Sequence, residues 1–339
     1  MSKIYYLSSF DPIVNSDFAF IEDPCLYFPV LERESVFIFL PFGKENNLSV
    51  RQEMVRSVYP SAVFASPLET EEEFLSFVKA LKADEFLVLE EALLKLLIGE
   101  NINGFLEANK NILVLKEIHI DHTSYCKMRY LGKDERSYTT SGSYLWTRKP
   151  VLDVFSEKGM YFMADVKERV STHRFLHSLS VAKTAYAIAE NNSLDPILCY
   201  HAGLLHDIAK DFDREKAIAI MNETYKEYMP CPDFALHQFI GAYLAKNTYH
   251  VPKDVIDMIQ FHCTGKAEMT RYMKCLYAAD EVEPLREFET EDKRRRCIEN
   301  LDLGFLYLVR KQVEYFKSKN IDCNEYFLAK QKYDYYLNN

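Results

Sequence analysis

The sequence predicts two domains, an α/β domain built on a parallel sheet followed by an all-α domain of packed helices. The chain has 339 residues, a length that suits two domains with a buried core each. In the first 145 residues or so, short apolar runs alternate with helical patterns, whereas from about Val151 onward the pattern is helical throughout. We therefore expect residues 1–155 and 156–339 to form the two domains.

The first domain shows five short apolar runs that we predict to be buried strands. Helices are predicted over residues 49–59 and 70–83, with Ser49 and Thr70 as N-caps. Strands that alternate with helices indicate βαβ units, which place neighbouring strands in a parallel sheet. The predicted strands cover residues 3–9, 35–41, 62–66, 85–89 and 111–115.

The second domain has a succession of helix signals and no strand pattern. Ser171 or Thr172 is expected to begin a long helix, and Asp195 is expected to cap the next, which has Pro196 at its first position. This pattern predicts a helical bundle. The remaining predicted helices cover residues 213–224, 233–247, 252–262, 269–281 and 290–318.

The composition disfavours several classes of protein. A formal net charge of −10 argues against a protein that coats nucleic acid or an anionic membrane, because both surfaces repel an acidic chain. We find no signal peptide and no run of about 20 apolar residues, the length that spans a bilayer. The eight cysteines include no CxxC pair and are expected to be reduced. The arginine run Arg294–Arg296 is interpreted as a solvated helix face. We expect a cytoplasmic protein, and a homodimer stays open.

Histidine is concentrated in the second domain, where seven of the nine lie between residues 173 and 262. An imidazole or carboxylate inside an apolar helical stripe is costly unless a partner such as a divalent cation satisfies it. Six residues of this kind are more metal ligands than one hydrolytic ion needs, so two ions bridged by Asp207 fit better. A nitrogen and oxygen set suits Fe, Mn, Co, Ni or Zn. The predicted ligands are His177, His206, Asp207, His237, His262 and Asp280.

Three other histidines in this region are interpreted as hydrogen-bonded core residues. They are His173, His201 and His250. By contrast, His206 and Asp207 are adjacent in AGLLHDIAK, which we expect to be helical. Side chains at successive helix positions diverge by about 100°, so this pair can hold an ion from two directions.

The order of these residues resembles the HD superfamily, and more closely the YqeK-type symmetrical diadenosine tetraphosphate hydrolases. Over residues 165–330 the resemblance is carried by RFLHSLSVAKTAYAIAE, AGLLHDIAK, LHQFIGAYLA, FHCTGKAEMT and YAADEVEP. The family implies two divalent ions, commonly iron, one held by His177, His206, Asp207 and Asp280 and the other by Asp207, His237 and His262. It also implies that a metal-bound hydroxide attacks the tetraphosphate bridge of a nucleotide substrate and releases two ADP.

Lysine and arginine near these ligands are expected to contact phosphate. Lys210 follows His206 by four residues, so in a helix it shares the same face; with Asp207 it is assigned a catalytic role. The predicted substrate-binding residues are Arg174, Lys210, Thr264 and Lys266.

The segment SSFDPIVNSDF near the N-terminus resembles the first loop of the nicotinate mononucleotide adenylyltransferase family, which reads GGSFDPIHNGH. Leu7 and Ser8 stand where that loop has phosphate-cradling glycines, and Val14 and Asp17 replace its two histidines. Further along, EE at 90–91 replaces a Gly-Ala pair. The resemblance implies a Rossmann-like nucleotidyltransferase fold, and the departures predict that its catalysis is lost.

Three other functions stay open at this point. The same metal chemistry could act on a different nucleotide, because specificity depends on the shape of the pocket. The chain could be bifunctional and still make nicotinate adenine dinucleotide. It could also be a nucleotide sensor that binds metal for stability alone. For the first domain, packing, dimerisation and nucleotide sensing are all compatible with the sequence.

Overall fold

The computed structural model describes residues 1–32, 34–43, 48–82, 84–99, 101–115, 135–286, 290–320 and 326–338. The chain divides into two compact units. The N-terminal unit comprises Met1–Thr140 and Trp146–Lys158, and the C-terminal unit comprises Ser141–Leu145 and Gly159–Asn339. Among the described residues, no helix combines the length and the apolar content that crossing a membrane requires.

The N-terminal unit is an α/β structure. Its described strands are β1 Lys3–Ser8, β2 Val36–Pro41, β3 Val63–Phe64, β4 Glu85–Glu90 and β5 Ile112–Leu115. Its described helices are α1 Asn15–Glu22, α2 Pro24–Tyr27, α3 Leu48–Val58, α4 Glu71–Ala80, α5 Glu91–Ile98, α6 Ile102–Ala108, α7 Glu135–Ser141 and α8 Lys149–Lys158.

The five strands form one sheet in the order β3-β2-β1-β4-β5, and every pair is parallel. Strand β1 lies in the centre of the sheet. Side chains on both of its faces are covered, since Ile4, Tyr6 and Leu7 are all buried. The chain order reverses between β1 and β4, which places a crevice at the carboxyl ends of these strands. This is the Rossmann-like α/β fold that the sequence predicts.

The C-terminal unit is helical, as predicted. Its described helices are α9 Phe162–Arg169, α10 Thr172–Asn191, α11 Pro196–Leu205, α12 Arg214–Thr224, α13 Asp233–Asn247, α14 Lys253–Gln260, α15 Arg271–Val282, α16 Glu291–Glu299, α17 Leu301–Lys319 and α18 Phe327–Asn338, with a single 3-10 turn at Lys226–Tyr228.

A glycine sets the distance between α10 and α11. A Cβ atom at Gly203 would lie 2.5 Å from the Cα of Ala182, so a larger residue cannot fit without moving one helix. Since α11 ends at Leu205, this close packing also fixes the position of the turn that follows it. The turn that carries His206 and Asp207 therefore follows directly from this close contact between α10 and α11.

Three predicted helix caps are confirmed and one is wrong. The side chains of Thr70, Ser171 and Asp195 accept hydrogen bonds from backbone N–H groups in the first turns of α4, α10 and α11. Helix α3 instead includes Leu48, so Ser49 lies inside its first turn and is not the cap. The predicted end of the following helix, at residue 83, lies outside the described residues.

The single helix predicted over residues 290–318 is wrong, because the structure has two. Asn300 adopts an extended conformation (φ −156°, ψ 105°) between α16 and α17, and its side chain accepts a hydrogen bond from the N–H of Leu303. The side chain of Asn192 spans the break, donating to the carbonyl of Cys297 and accepting from the N–H of Leu301. Helices α9 and α18 were not predicted.

Candidate metal centre

Six polar side chains from five helices or the turns after them converge in the C-terminal unit. They form three overlapping groups, and within each group the potential ligand atoms lie within 4.8 Å of one another. The groups are His177–His206–Asp207, His206–His262–Asp280 and Asp207–His237–His262. The structure thus brings together all six residues that the sequence predicts as ligands.

Asp207 is central to the cluster. Its Oδ1 atom lies 3.4 Å from Nε2 of His237, 3.6 Å from Nε2 of His262 and 3.7 Å from Nε2 of His206. This oxygen is buried and makes no hydrogen bond within the described part of the chain. A buried carboxylate oxygen without a hydrogen-bond donor is costly, and a cation satisfies it.

Backbone carbonyls fix the orientation of two imidazoles. The Nδ1 of His206 lies 2.8 Å from the carbonyl of Gly203, and the Nδ1 of His262 lies 2.8 Å from the carbonyl of Ile259. Because a carbonyl only accepts, Nδ1 must carry the proton in both rings. The lone pair is then on Nε2, which faces Asp207, as in histidine that binds a metal.

His177 contacts two carboxylates. Its Nε2 lies 3.2 Å from Oδ1 of Asp280 and its Nδ1 lies 3.1 Å from Oε1 of Glu283. Burial opposes protonation of the ring, but these hydrogen bonds and charges outweigh it and raise the pKa of His177. A divalent cation at this position would compete with a proton for Nε2.

His206, His237 and Asp207 have the charge states that a divalent cation needs. Burial lowers the pKa of His206 to about 4, against the opposing charge of Asp207, so the ring is neutral at pH 7. Burial likewise lowers the pKa of His237. Burial would raise the pKa of Asp207, but His206, His262 and Lys210 hold it well below the usual value. Neutral imidazoles around ionised carboxylates fit a transition-metal ion such as Fe, Mn or Zn.

The expectation that His206 and Asp207 lie inside a helix is wrong. Helix α11 ends at Leu205 and is followed by turns that are closed by hydrogen bonds between residues three positions apart. The N–H of Ile208 donates to the carbonyl of Leu205, and the N–H of Lys210 donates to the carbonyl of Asp207. The apolar pattern continues through this turn because the turn is buried, so periodicity alone does not reveal the helix end.

Lys210 lies at the cluster, although not on the predicted helix face. Its Nζ is 2.9 Å from Nε2 of His237 and 3.6 Å from Oδ1 of Asp207. The tight turn after α11, rather than the four-residue helical spacing, brings the ammonium group there. Lys210 is therefore placed to contact an anion bound at these residues.

The three other predicted substrate-binding residues have different neighbours. Arg174 forms an ion pair with Asp211 at 3.2 Å, and Lys266 lies over the ring of Phe261. Thr264 is buried, and its hydroxyl lies 3.0 Å from the side-chain nitrogen of Gln238.

The histidines interpreted as core residues differ among themselves. His201 is buried, and burial lowers its pKa to about 3 against the opposing effect of the Gly142 carbonyl. His173 and His250 are exposed, so the core interpretation is wrong for both. The ligand groups include none of the three.

Sequence reasoning missed two residues at the cluster. Glu283 is buried against His177, and Arg286 donates to the carboxylate of Asp280. Both follow Asp280 within six residues, in DEVEPLR. A charged pair just after a predicted ligand is a signal for groups that orient it, and it could have been used.

Residues 174–285 match the family model of the HD domain. The symmetrical bis(5'-nucleosyl)-tetraphosphatase of Bacillus subtilis is 30% identical over 166 residues, which cover 47% of this chain and 87% of that protein. The protein of that name from Staphylococcus aureus is 30% identical over 48% of this chain and 90% of its own length. A probable nicotinate-nucleotide adenylyltransferase/Ap4A hydrolase of Mycoplasma genitalium is 31% identical over 41% of this chain and 40% of its length.

The helical fold and the histidine–aspartate cluster define an HD-domain hydrolase. The chain belongs to the family of the symmetrical bis(5'-nucleosyl)-tetraphosphatases, because it is 30% identical to two of them over 87% and 90% of their length.

Proposed function

We propose that the C-terminal unit hydrolyses diadenosine tetraphosphate symmetrically to two ADP and uses two divalent ions to do so. Iron is the first candidate for these ions. The convergence of four imidazoles and two carboxylates around Asp207 carries this proposal. The names of the relatives supply the substrate class. Residues 156–339 would hold all of the chemistry.

The resemblance to the family assigns each residue a role. His177, His206 and Asp280 would hold one ion, His237 and His262 would hold the other, and Asp207 would bridge them. When bound, such a pair of ions supplies an activated water and neutralises charge on the phosphate under attack.

Lys210 would bind a phosphate oxygen of the bridge. Its Nζ lies against the cluster at His237, and its side chain is 30% exposed, so it can reach a ligand that enters from solvent. An ammonium group there would stabilise the added negative charge of the transition state.

The test is hydrolysis of diadenosine tetraphosphate by the purified protein, with the products separated by chromatography. Activity is measured after chelation and after return of ferrous iron, manganese or cobalt. We expect ADP as the sole product, and no turnover by Asp207→Asn. The exposed Asp254→Asn on α14 is the matched control and should retain activity. Release of AMP with ATP, or no turnover with metal bound, would contradict the proposal.

We infer further that the N-terminal unit does not catalyse adenylyl transfer. At the carboxyl end of β1, Asp17 is fully buried and accepts hydrogen bonds from Tyr6 and from Arg136, the latter at 2.8 Å. In the related loop a histidine stands at the position of Asp17 and binds triphosphate. Here a carboxylate, which repels phosphate, is paired with an arginine of the same unit.

A second arginine at this edge of the sheet also donates its hydrogen bonds to groups of the same unit. The guanidinium group of Arg51 donates to the carbonyls of Ser9, Phe42 and Gly43, each at 2.9 Å, and the residue is only 4% exposed. These bonds tie together the loops after β1 and β2, where a nucleotide would lie in an active relative. Incubation with nicotinate mononucleotide, ATP and magnesium should therefore form no dinucleotide, and its formation would contradict this inference.

A further inference from the structure

The side chain of Gln238 links helix α13 to the turn that follows α14. Its Oε1 accepts from the backbone N–H of Cys263 at 3.3 Å and from that of Thr264 at 3.2 Å. Its Nε2 donates to the hydroxyl oxygen of Thr264 at 3.0 Å. The residue is fully buried, and hydrogen bonds in such surroundings are costly to lose. One amide therefore holds two consecutive peptide groups of the turn.

Both ends of this link lie next to a predicted metal ligand. Gln238 directly follows His237, and Cys263 directly follows His262. The Nε2 atoms of the two histidines are 3.1 Å apart. Two metal–nitrogen bonds of about 2.1 Å that meet at about 90–110° place their nitrogen atoms about 3.0–3.4 Å apart. The two imidazoles therefore already have the spacing that one shared ion requires.

The position of the His262 ring depends on the backbone of the turn. Its Nδ1 lies 2.8 Å from the carbonyl of Ile259, which ties the ring to the last residues of α14. A shift of the turn would therefore move Nε2 as well. Since a metal site needs its ligands within about 0.5 Å of the productive geometry, a small shift is enough to spoil the spacing to His237.

Helix α18 holds the segment after the turn independently of Gln238. A Cβ atom at Gly265 would lie 2.6 Å from Cδ of Lys332, so this helix packs directly on the backbone there. The hydroxyl of Tyr336 accepts from the N–H of Met269 at 2.8 Å. These contacts do not involve α13, so we expect the segment to keep its fold when Gln238 is replaced. The contribution of Gln238 is the connection to His237.

We propose that Gln238 is a positioning residue for the second ion, the one held by Asp207, His237 and His262. It fixes the distance between the two imidazoles and touches neither ion nor substrate. The first ion draws its other ligands from α10, from the turn after α11 and from α15, so it depends on Gln238 much less. This inference rests on the proposed function, and it adds a residue that the sequence did not predict.

The test is a calorimetric titration of the chelated protein with Mn²⁺. In Gln238→Leu the two N–H groups of the turn lose their acceptor. The second ion should then bind about 10- to 100-fold more weakly, as is typical when a group that orients a ligand is removed. The first ion should stay within about threefold of the wild-type affinity. Electron paramagnetic resonance at an intermediate Mn²⁺ concentration should show two coupled ions in the wild-type protein and one isolated ion in the variant.

Two variants of Thr264 keep the proposal testable if Gln238→Leu does not fold. Thr264→Val removes the hydroxyl that accepts from Gln238 but keeps both backbone bonds to Oε1, so the second ion should bind about three- to tenfold more weakly. Thr264→Ser keeps a hydroxyl and should recover most of that affinity. Equal Mn²⁺ affinity in Thr264→Val and the wild-type protein would then overturn the proposal.

Asn192→Leu is the matched control for loss of a buried amide. The side chain of Asn192 also bonds distant backbone, at Cys297 and Leu301, but it lies just beyond the end of α10, whereas His177 is near the start of that helix. This variant should be destabilised and still bind two ions. An equal weakening of both ions in Gln238→Leu, or selective loss of the second ion in Asn192→Leu, would mean that Gln238 only supports the fold.

Kinetics separate this inference from the proposed function. Cleavage of diadenosine tetraphosphate by Gln238→Leu should be slow at limiting Mn²⁺ and should recover at about 100-fold higher Mn²⁺, with an unchanged KM for the nucleotide. If the wild-type protein binds two ions but does not cleave this substrate, the proposed substrate is wrong and the titrations still decide the role of Gln238. If cleavage occurs and Gln238→Leu binds both ions normally, only the inference on Gln238 fails.

Discussion

The Nδ1 atom of His177 lies 3.1 Å from Oε1 of Glu283, a residue 106 positions away in the sequence. Glu283 is 1% exposed, and its other oxygen accepts from the N–H of Leu285 at 2.7 Å. The carboxylate is therefore held on one side by backbone and contacts the imidazole on the other. Such a carboxylate fixes the ring orientation of a metal-binding histidine and raises its basicity.

The first prediction concerns this pair. Glu283→Ala should weaken Mn²⁺ binding about 10- to 100-fold, because His177 loses the group that orients it. Glu283→Gln should have a smaller effect, since the amide oxygen still accepts from Nδ1. Calorimetric titration of chelated protein measures both. Equal loss in the two variants would mean that the charge of Glu283, rather than its hydrogen bond, is what matters.

The second prediction concerns removal of metal. An ion that binds the folded protein alone stabilises it by about 2.7 kcal/mol at 100 times its dissociation constant. Chelation should therefore lower the thermal midpoint followed by far-UV circular dichroism, and return of Mn²⁺ should restore it. Asp207→Asn should abolish the dependence on Mn²⁺, whereas the exposed His173→Ala should retain it. A midpoint independent of Mn²⁺ in the wild-type protein would refute this.

The third prediction concerns the close approach of α10 and α11. Replacing glycine by alanine in an exposed helix stabilises it by up to about 1 kcal/mol. Gly203→Ala should instead destabilise the C-terminal unit by about 1–3 kcal/mol, because the new Cβ would overlap with Ala182. Urea unfolding followed by circular dichroism measures this. Glu190→Ala, at an exposed position of α10, should be near neutral. Stabilisation by Gly203→Ala would show that the helices can separate at no cost.

The fourth prediction is a pH dependence in the N-terminal unit. Glu135 is 3% exposed, and burial raises its pKa from 4.5 to about 8, against the opposing hydrogen bond from Ser16. The folded chain thus binds an extra proton between these values, so stability falls as pH rises from about 4.5 to 8. Glu135→Gln mimics the protonated form and removes that loss.

The free energy of unfolding of Glu135→Gln should therefore equal that of the wild-type protein near pH 5 and exceed it by roughly 2–4 kcal/mol at pH 8.5. Trp146 is the single tryptophan and lies in the N-terminal unit, so its fluorescence in urea reports on this unit. Glu72→Gln, at an exposed position of α4, is the control. An equal pH dependence in Glu135→Gln and the wild-type protein would exclude ionisation of Glu135 as its cause.

Local signals in the sequence were reliable where one side chain acts on its own neighbours. Thr70, Ser171 and Asp195 cap helices because an N-cap needs only a short polar side chain two or three residues before a free N–H. The same kind of reasoning failed at Asn300. There the helix break is stabilised by Asn192, whose distant position no local pattern reveals.

The sequence by itself determined the two fold classes and the six residues of the cluster. Alternation and helical periodicity report which face of an element is buried, and polar residues that interrupt a buried face need a partner. Only the tertiary structure decided how those residues meet. The contact of His177 with Glu283, for example, depends on how α10 packs against the end of α15. Periodicity defines a buried face but does not specify which distant face it meets.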